Sequence, residues 1–529
     1  MTTAQQPVTV RRFARLAPPS HEYAGELLLL ALRTGELLLA NGAPAADVVA
    51  TTTAMAAGLG LHGCTVDVTA GALSLSYRSG PRAVPMTEIR VVRSATLDYS
   101  RIDAVHRLVE QVGQGRLDVR AARYRLAQIE AAQPAHPAWQ VTLSWAGLGG
   151  FFTVMLGGGP TVFAAAAVVA AFIDRANHHL SRRGVPDFHQ VVLGGAVATA
   201  TATGLFLTGT TTQAPLVVAG GIAMLLPGLA FVSGVQDAIA GYLVTAAARA
   251  LEVAMTVAAI VAGVGAALYT AAHSGLRAPQ VQPDGFALHG WAALPLEILA
   301  ATMVCVCLAF CLQGTRWNLL TAGLAGAMAW TVYLVLWQEF RLPPPLAAAV
   351  AATLVGLATQ TLAHRTNTTA LLLTIAGIAP LAPGYTIYQG MLHLSHGRLA
   401  PGLLTIGQAA AIGLAIAGGL TLGHTAADQV APGTAHQRAR LATARPDPTR
   451  SAGTTVTGRA GAPGSGSHPT PPHPTRQPHH RSGTHHQSRE RRPVRTHRQG
   501  WRRHLNAASR NPGRPPGESS LVRPRRTGR

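Results

Sequence analysis

Two Pro-Gly pairs, Pro227-Gly228 and Pro383-Gly384, each interrupt a long apolar run of this 529-residue chain. Leu-Leu precedes the first pair and Leu-Ala the second, and the prolines lie 156 positions apart (383 − 227). A proline removes a backbone donor and a glycine adds conformational freedom, so each pair predicts a broken helix. Lipid offers no hydrogen bonds to the freed peptide groups, which must therefore be satisfied by protein, water or a ligand. The spacing indicates a polar binding site formed by two matching halves.

The freed groups at each break suit a zwitterion, because a helix N-terminus favours a carboxylate. Tyr385 and Tyr388 follow the second break and add hydroxyl groups. We therefore predict substrate contacts at Pro227, Gly228, Pro383, Gly384 and these two tyrosines. The alternative is a pair of kinked helices without a ligand, since Pro and Gly are common in membrane helices.

Four of the charged residues in or near the apolar runs are candidate functional groups, because ionisable groups at membrane depth are costly and often functional. Asp237 could hold a substrate ammonium group or exchange a proton, or it could be a loop carboxylate that pairs with Arg249. Arg249 and Glu252, three positions apart, could form a structural pair. Alternatively, Arg249 binds a substrate carboxylate and Glu252 lies in a proton path. Asp174 is a third candidate for proton coupling, or else a solvated helix end.

The chain also contains nucleophilic and metal-binding residue types outside the apolar runs. A membrane-anchored hydrolase would have to draw on a predicted hairpin, but no G-x-S-x-G elbow or Walker phosphate loop occurs in the sequence. The four cysteines do not have the spacing of a zinc or haem site. We expect no enzyme activity, metal or cofactor. The hydrolytic candidates are His62, Cys64, Asp67, Ser74 and Ser76.

Composition divides the chain into a charged first part, an apolar middle and a basic tail. From residue 431 to 529 there are 20 arginines against Asp447, Glu490 and Glu518, which gives +17 of the formal +21. This tail, rich in Arg, His and Pro, predicts a disordered segment. Anionic lipid headgroups are its nearest partner, and we expect no nucleic acid.

The first part predicts a small soluble α/β domain over residues 1–136. Helices are expected at 22–40, 45–59, 100–114 and 118–131, from apolar spacing and turn residues. Alternation on either side of Ala70-Gly71-Ala72 predicts a hairpin, and a third strand is expected at 89–92.

Ten apolar runs of membrane-helix length follow. When 156 is added to the residue numbers of the first run, the result falls within the sixth run. The fifth run shifted in the same way falls close to the tenth. This indicates two five-helix repeats, over 137–273 and 290–424. Because five is odd, the second repeat would enter from the opposite side of the membrane, as an inverted repeat. The runs are 138–156, 160–178, 190–208, 214–233, 248–271, 291–312, 318–337, 345–363, 369–387 and 401–423.

Orientation follows from the arginines and from the N-terminus. No h-region with a cleavage site follows Arg11 and Arg12, so the first domain is expected to stay in the cytoplasm. On that basis the loops and helix ends carry six arginines inside and three outside, in agreement with the positive-inside rule. The sequence predicts a membrane protein with both termini cytoplasmic. The arginines are 175, 182, 183, 249, 316 and 365 inside, and 277, 341 and 398 outside.

An ordered set of short motifs resembles the threonine/serine exporter family of bacterial membrane proteins, over residues 22–424. The resemblance implies export of small hydroxy amino acids driven by the proton motive force, with an amino acid and protons as partners. Related proteins split the halves between two chains and are associated with export of a dicarboxylate such as succinate. The fused halves favour the amino-acid branch. The motifs are Thr34-Gly35, Asn41-Gly42-Ala43-Pro44, Gly58-Leu59-Gly60, residues 69–77, residues 105–117, Leu-Leu-Pro-Gly at 225–228, and Asp237 with Gly241 and Arg249.

Overall fold

The computed structural model describes residues 20–80, 83–92, 97–211, 213–274, 293–366, 370–395 and 397–430. The chain is mostly helical, with one small sheet. The predicted tail at 431–529 lies outside the described residues.

The N-terminal layer comprises four helices and a three-stranded antiparallel sheet. Apart from the third strand, these elements begin and end within one or two residues of the bounds predicted from the sequence. Side chains cap three of the helices: Ser20 accepts from the amide of Tyr23, Asp98 from Ser100 and Arg101, and Asp118 from Ala121. The elements are α1 (His21–Ala40), α2 (Ala45–Gly58), β1 (Thr65–Thr69), β2 (Ala72–Tyr77), β3 (Met86–Val91), α3 (Tyr99–Gly113) and α4 (Val119–Ala131).

The predicted hairpin is confirmed. Strands β1 and β2 pair with Thr69 opposite Ala72, so Ala70 and Gly71 alone form the turn. Both have positive φ, 46° and 90°, as a type I′ turn requires. Leu73 and Leu75 on β2 are fully buried, and they belong to the same core as Leu28, Leu32 and Met55 on α1 and α2.

The apolar part contains two successions of helices in the same order. Each has three helices, a helix broken after two turns, and a long final helix. The first succession is α5 (Ala138–Met155), α6 (Pro160–Arg182), α7 (Asp187–Leu207), α8 (Ala214–Gly221), α9 (Gly228–Ile239) and α10 (Leu243–His273). The second is α11 (Leu294–Cys311), α12 (Arg316–Gln338), α13 (Pro344–Thr366), α14 (Leu371–Gly377), α15 (Gly384–Ser395) and α16 (Leu399–Val430).

Corresponding helices begin 156 or 157 residues apart; α5 and α11, for example, begin at 138 and 294. Close backbone contacts occur at positions of the two successions that are related by the same offset. A Cβ on Gly263 of α10 would overlap the carbonyl oxygen of Val192 on α7. A Cβ on Gly419 of α16 would overlap that of Ala349 on α13. Small residues therefore bring the third and last helices of each succession into backbone contact.

Among the described residues, six helices are long and apolar enough to cross a membrane, and up to eight spans result if each bent pair counts as one. The six are α7, α10, α11, α12, α13 and α16. Helices α5 and α6 coincide with predicted runs but lie outside this set. Ten spans and the domain boundaries therefore stay predictions.

Candidate functional site

Both Pro-Gly pairs break a helix. After α8 the chain makes a 3₁₀ turn (Ala223–Leu225), and Leu226 is extended before α9 begins at Gly228. After α14 a second 3₁₀ turn (Ala379–Leu381) leads through extended Ala382 to α15 at Gly384. The two segments bend by 52° and 40°. Each proline thus falls at the start of a new helix, where its missing N–H costs nothing.

The two breaks lie against each other. A Cβ placed on Gly228 would lie 3.1 Å from the backbone nitrogen of Gly384 and 3.3 Å from the Cβ of Ala382. Conversely, a Cβ on Gly384 would lie 3.3 Å from the Cβ of Leu226. The structure therefore brings together all four predicted Pro-Gly residues, although 156 positions separate the two pairs.

Two helix N-termini meet at this contact. Gly228 and Gly384 are the first residues of α9 and α15. The first amides of a helix have no acceptor within it, and they carry the positive end of the helix dipole. Pro227, the N-cap of α9, supplies no side-chain acceptor. The meeting point thus favours an anionic group such as a carboxylate.

A cavity opens one helical turn along α15 from this point. The cavity is small, with room for about one water molecule, and so of the size that a single hydroxyl group would fill. Tyr388 contributes the phenol ring of the second half, and α7, α8 and α10 line the rest. No hydrogen bond joins the Tyr388 hydroxyl to another described residue. The neighbouring ring of Tyr385 lies 6.3 Å away, centroid to centroid.

Two threonines of α7, Thr199 and Thr203, also line this cavity. Their hydroxyls donate to the carbonyl oxygens of Gly195 and Thr199, at 2.8 Å each. Each hydroxyl keeps lone pairs to accept a hydrogen bond from a ligand. Neither threonine is recognisable as a site residue from the sequence, because a threonine in an apolar helix ordinarily donates its hydroxyl to a backbone carbonyl of the preceding turn in this way. The walls are otherwise largely apolar: Ala202, Ala214, Pro215, Val218, Val264, Leu268 and Leu392.

Asp237 and Arg249 form a second site at the far end of α9. Asp237 is 1% exposed, and its Oδ2 lies 3.3 Å from Nε of Arg249. Its Oδ1 accepts the amide of Ala45, the first residue of α2, at 3.3 Å. Nine residues of helix, about 13 Å, separate Asp237 from Gly228. One amino acid therefore cannot touch the breaks and Asp237 at the same time.

The N-terminal layer touches both successions of helices. On the first, Thr245 of α10 accepts the amide of Ala70 at 3.4 Å and donates to the carbonyl of Val68 at 3.2 Å. On the second, the amide of Tyr99 donates to the carbonyl of Leu312 at 3.1 Å, and His136 donates from its amide to Gln313 at 2.7 Å. The layer therefore bridges the two halves of the bundle.

The other two predicted charged residues lie elsewhere. Glu252 is exposed on α10, and Arg249 pairs with Asp237 rather than with it. Asp174 accepts a hydrogen bond from Thr142 at 2.6 Å and pairs with Arg175 at 2.9 Å. These contacts join α5 to α6. The structure brings neither carboxylate to the breaks.

The hydrolytic candidates do not assemble a nucleophile and base. Asp67 accepts from Thr69 at 2.9 Å, and Ser76 accepts from Thr87 at 2.9 Å. Burial raises the pKa of the Cys64 thiol to about 11, so the thiol stays protonated near neutral pH. A nucleophilic cysteine needs the opposite shift.

Apolar helices of membrane-spanning length, with two broken helices in contact at their breaks, define a multi-pass membrane protein of the transporter class. A family model for threonine/serine exporters matches residues 29–271, and a second, “Threonine/Serine exporter, ThrE”, matches residues 297–426. The chain belongs to the threonine/serine exporter family.

Two curated relatives agree with this assignment. The “Probable threonine/serine exporter” of Mycobacterium tuberculosis is 31% identical over 422 residues, 79% of this chain and 79% of the relative. The “Threonine/serine exporter” of Corynebacterium glutamicum is 29% identical over 425 residues, 78% of this chain and 86% of the relative. No solved structure gives a significant match.

Proposed function

We propose that this protein exports threonine and serine across the bacterial inner membrane, driven by the proton motive force. The observation that carries the proposal is the contact between Gly228 and Gly384, which places two helix N-termini side by side. Broken helices whose N-termini point at a substrate carboxylate are a recurrent feature of secondary transporters. The family and the names of its relatives supply the substrate class.

In this proposal the amino acid binds between the breaks and the adjoining cavity. The first amides of α9 and α15, beside Pro227 and Pro383, hold its carboxylate. Tyr388 and the α7 threonines bind the side-chain hydroxyl, and Tyr385 supports the ring of Tyr388. A site with polar groups for one hydroxyl discriminates against amino acids that lack it.

The architecture that we propose is an inverted repeat of five plus five spans, in which each broken helix is one span. The common offset of 156 or 157 residues supports the repeat, and the odd number five supports the inversion. The arginine distribution supports an N-terminal layer and a tail that both lie in the cytoplasm. The basic tail would then face the anionic inner leaflet.

Asp237 and Arg249 are the proposed inner gate. They lie where α2 of the N-terminal layer reaches the bundle. An amino acid entering from the cytoplasm could replace their ion pair, with its ammonium group on Asp237 and its carboxylate on Arg249. Protonation of Asp237 would remove the charge that holds Arg249 and would weaken the hydrogen bond from the amide of Ala45. Glu252 and Asp174 remain weaker candidates for proton coupling, because one is exposed and the other is held between α5 and α6.

The test is efflux of labelled threonine from preloaded cells, with and without a protonophore, and with serine and succinate as comparison solutes. We expect protonophore-sensitive efflux of threonine and serine above the empty-vector rate. Succinate efflux alone would move the protein to the dicarboxylate branch. With the protein detected in the membrane, efflux of none of the three would overturn the proposed function.

A further inference from the structure

A compact polar cluster lies between α13 and α16, outside the site described above. Nε2 of Gln360 donates to Oδ1 of Asp428 at 2.9 Å and lies 3.1 Å from Nε2 of His364. The same His364 nitrogen lies 3.3 Å from Oδ1 of Asp428. Three polar side chains of two apolar helices thus converge within hydrogen-bond or ion-pair distance.

The cluster has a buried neighbour. Thr359, the residue before Gln360, has its hydroxyl 2.9 Å from that of Thr374 on α14, and Thr374 lies 3.3 Å from Nε2 of His424. Both threonines are 3% exposed. Asp428 and His424 are one turn apart on α16, so polar groups extend along the helix from partly exposed Asp428 toward the interior.

The contacts of His364 accommodate a proton in two ways. A neutral ring that accepts from Gln360 at Nε2 carries its proton on Nδ1, which is buried without a hydrogen-bond partner. A protonated ring donates from Nε2 to Asp428, and Gln360 then keeps only its bond to the carboxylate. Each state satisfies a contact that the other leaves unmade.

The repeat offset gives the cluster a counterpart. Gln360 and His424 correspond to Thr203 and Leu268, at offsets of 157 and 156, and both of these line the cavity beside Tyr388. Asp428 corresponds to Ala272, and His364 to Leu207. At these four positions the first half therefore carries no titratable side chain, whereas the second half has the cluster.

Few charged side chains lie on the elements around the cluster. Helix α14 carries no titratable side chain, and Arg365 and Arg316, on α13 and α12, are exposed. Among the described residues no group of three or more His, Cys, Asp or Glu is arranged for a metal ion. The ligand that fits this cluster is a proton. The remaining titratable groups on elements packed against it are Tyr333 on α12, Asp237 on α9, and Tyr385, Tyr388 and His393 on α15.

We propose that His364 and Asp428, with Gln360 between them, form the proton-binding site that couples this transporter to the proton motive force. The inference rests on the proposed function and deepens it. The side-chain hydroxyl of the amino acid occupies the cavity lined mainly by the first half, and the coupling proton occupies the equivalent position of the second half. Movement of one half against the other then depends on both ligands.

The experiment uses the full chain in proteoliposomes and separates coupling from translocation. Threonine exchange at equal pH needs no net proton movement, whereas transport driven by a pH gradient does. We expect His364→Gln and Asp428→Asn to reduce gradient-driven transport at least tenfold and to leave exchange within about twofold. Asp428→Glu should restore part of the gradient-driven rate. His179→Gln, an exposed histidine at the end of α6, is the matched control and should behave as wild type.

Two results would overturn the coupling site and leave the proposed function intact. In the first, gradient-driven transport in the variants equals that of wild type. In the second, exchange falls as much as driven transport in variants that elute as folded protein, which would indicate a structural role. A wild-type protein that exchanges neither threonine, serine nor succinate would instead overturn the proposed function itself, and the coupling site with it.

Discussion

The amide of Ala45 donates to a carboxylate oxygen of Asp237 that lies 192 positions further along the chain. Ala45 begins α2, and its N-cap Pro44 has no side-chain oxygen to offer. A buried carboxylate of the membrane bundle therefore caps a helix of the N-terminal layer. The same carboxylate lies within ion-pair distance of Arg249. Docking of the layer and the charge state of Asp237 are thus physically linked.

Replacement of Asp237 by Asn should loosen that docking. The amide keeps an acceptor for Ala45 but leaves Arg249 without a counter-charge, at a cost of about 2 kcal/mol for a largely buried pair. Limited proteolysis of the N-terminal layer should become at least several-fold faster, and threonine efflux should fall. Glu252→Gln, on the exposed side of α10, is the control for the proteolysis rate. Equal proteolysis rates in wild type and Asp237→Asn would refute the linkage.

Adding a methyl group at the crossing should obstruct transport. Gly228→Ala and Gly384→Ala each place a Cβ 3.1–3.3 Å from atoms of the opposite break, so the two helix starts must separate. Overpacking of this kind costs about 1–3 kcal/mol. We expect threonine efflux to drop about tenfold while the protein still reaches the membrane. Gly265→Ala and Gly418→Ala, where a Cβ would meet nothing within 4 Å, should retain wild-type efflux.

The hydroxyl of Tyr388 should matter to substrate affinity. In Tyr388→Phe the ring still fills its place, and only one hydrogen bond to the amino acid is lost. A hydrogen bond worth about 1 kcal/mol corresponds to a several-fold rise in the KM for threonine. Tyr269→Phe, an exposed tyrosine on α10, provides the comparison. An unchanged KM in Tyr388→Phe would place the substrate hydroxyl elsewhere.

The N-terminal layer should lose stability as the pH rises. Nε2 of His106 lies 3.0 Å from Oδ2 of Asp47, and Nδ1 lies 3.5 Å from the Thr51 hydroxyl. Burial lowers the pKa of His106, but the carboxylates of Asp47 and Asp103 outweigh it and raise the pKa above its usual 6.5. The stabilisation is therefore complete below pH 6.5 and is lost as the pH rises through the raised pKa.

The measurement is the Tm of the detergent-solubilised full chain between pH 6 and 9. The Tm of His106→Gln should fall furthest below that of wild type at the acid end of this range, and the gap should shrink toward pH 9. At the acid end it corresponds to a difference of about 1–2 kcal/mol in the free energy of unfolding. His62→Gln changes an exposed histidine of the same layer and should leave the profile unaltered. A difference that grows with pH would show that His106 is stabilised in its neutral form.

The sequence predicted the helices of the N-terminal layer and both breaks because these depend on local signals. Apolar spacing, turn residues and Pro-Gly pairs act within a few positions. The hairpin follows from the same kind of information, but its turn is Ala70-Gly71 alone, because Ala72 pairs with Thr69 and belongs to β2.

The partners of Asp237 were beyond the reach of local reasoning. The sequence left open whether Arg249 pairs with Asp237 or with Glu252, because helix spacing favours the nearer residue. Only the turn between α9 and α10 decides in favour of Asp237. The contact with Ala45 depends on how the N-terminal layer rests on the bundle, which no spacing rule supplies. His364 and Asp428 were missed for a similar reason, since 64 positions separate them.

The glycine contacts between α7 and α10 and between α13 and α16 constrain how the molecule can move. At Gly263 and Gly419 a backbone lies directly against a carbonyl of the partner helix, so neither pair can slide or rotate without a steric collision. The two helices of each pair should therefore move together as a rigid body. The Pro-Gly breaks lie between α8 and α9 and between α14 and α15, where the two broken helices contact each other. The conformational change of the transport cycle should therefore bend the protein at these breaks. A crosslink within either pair should be harmless, whereas one between Leu226 and Gly384 should stall the cycle.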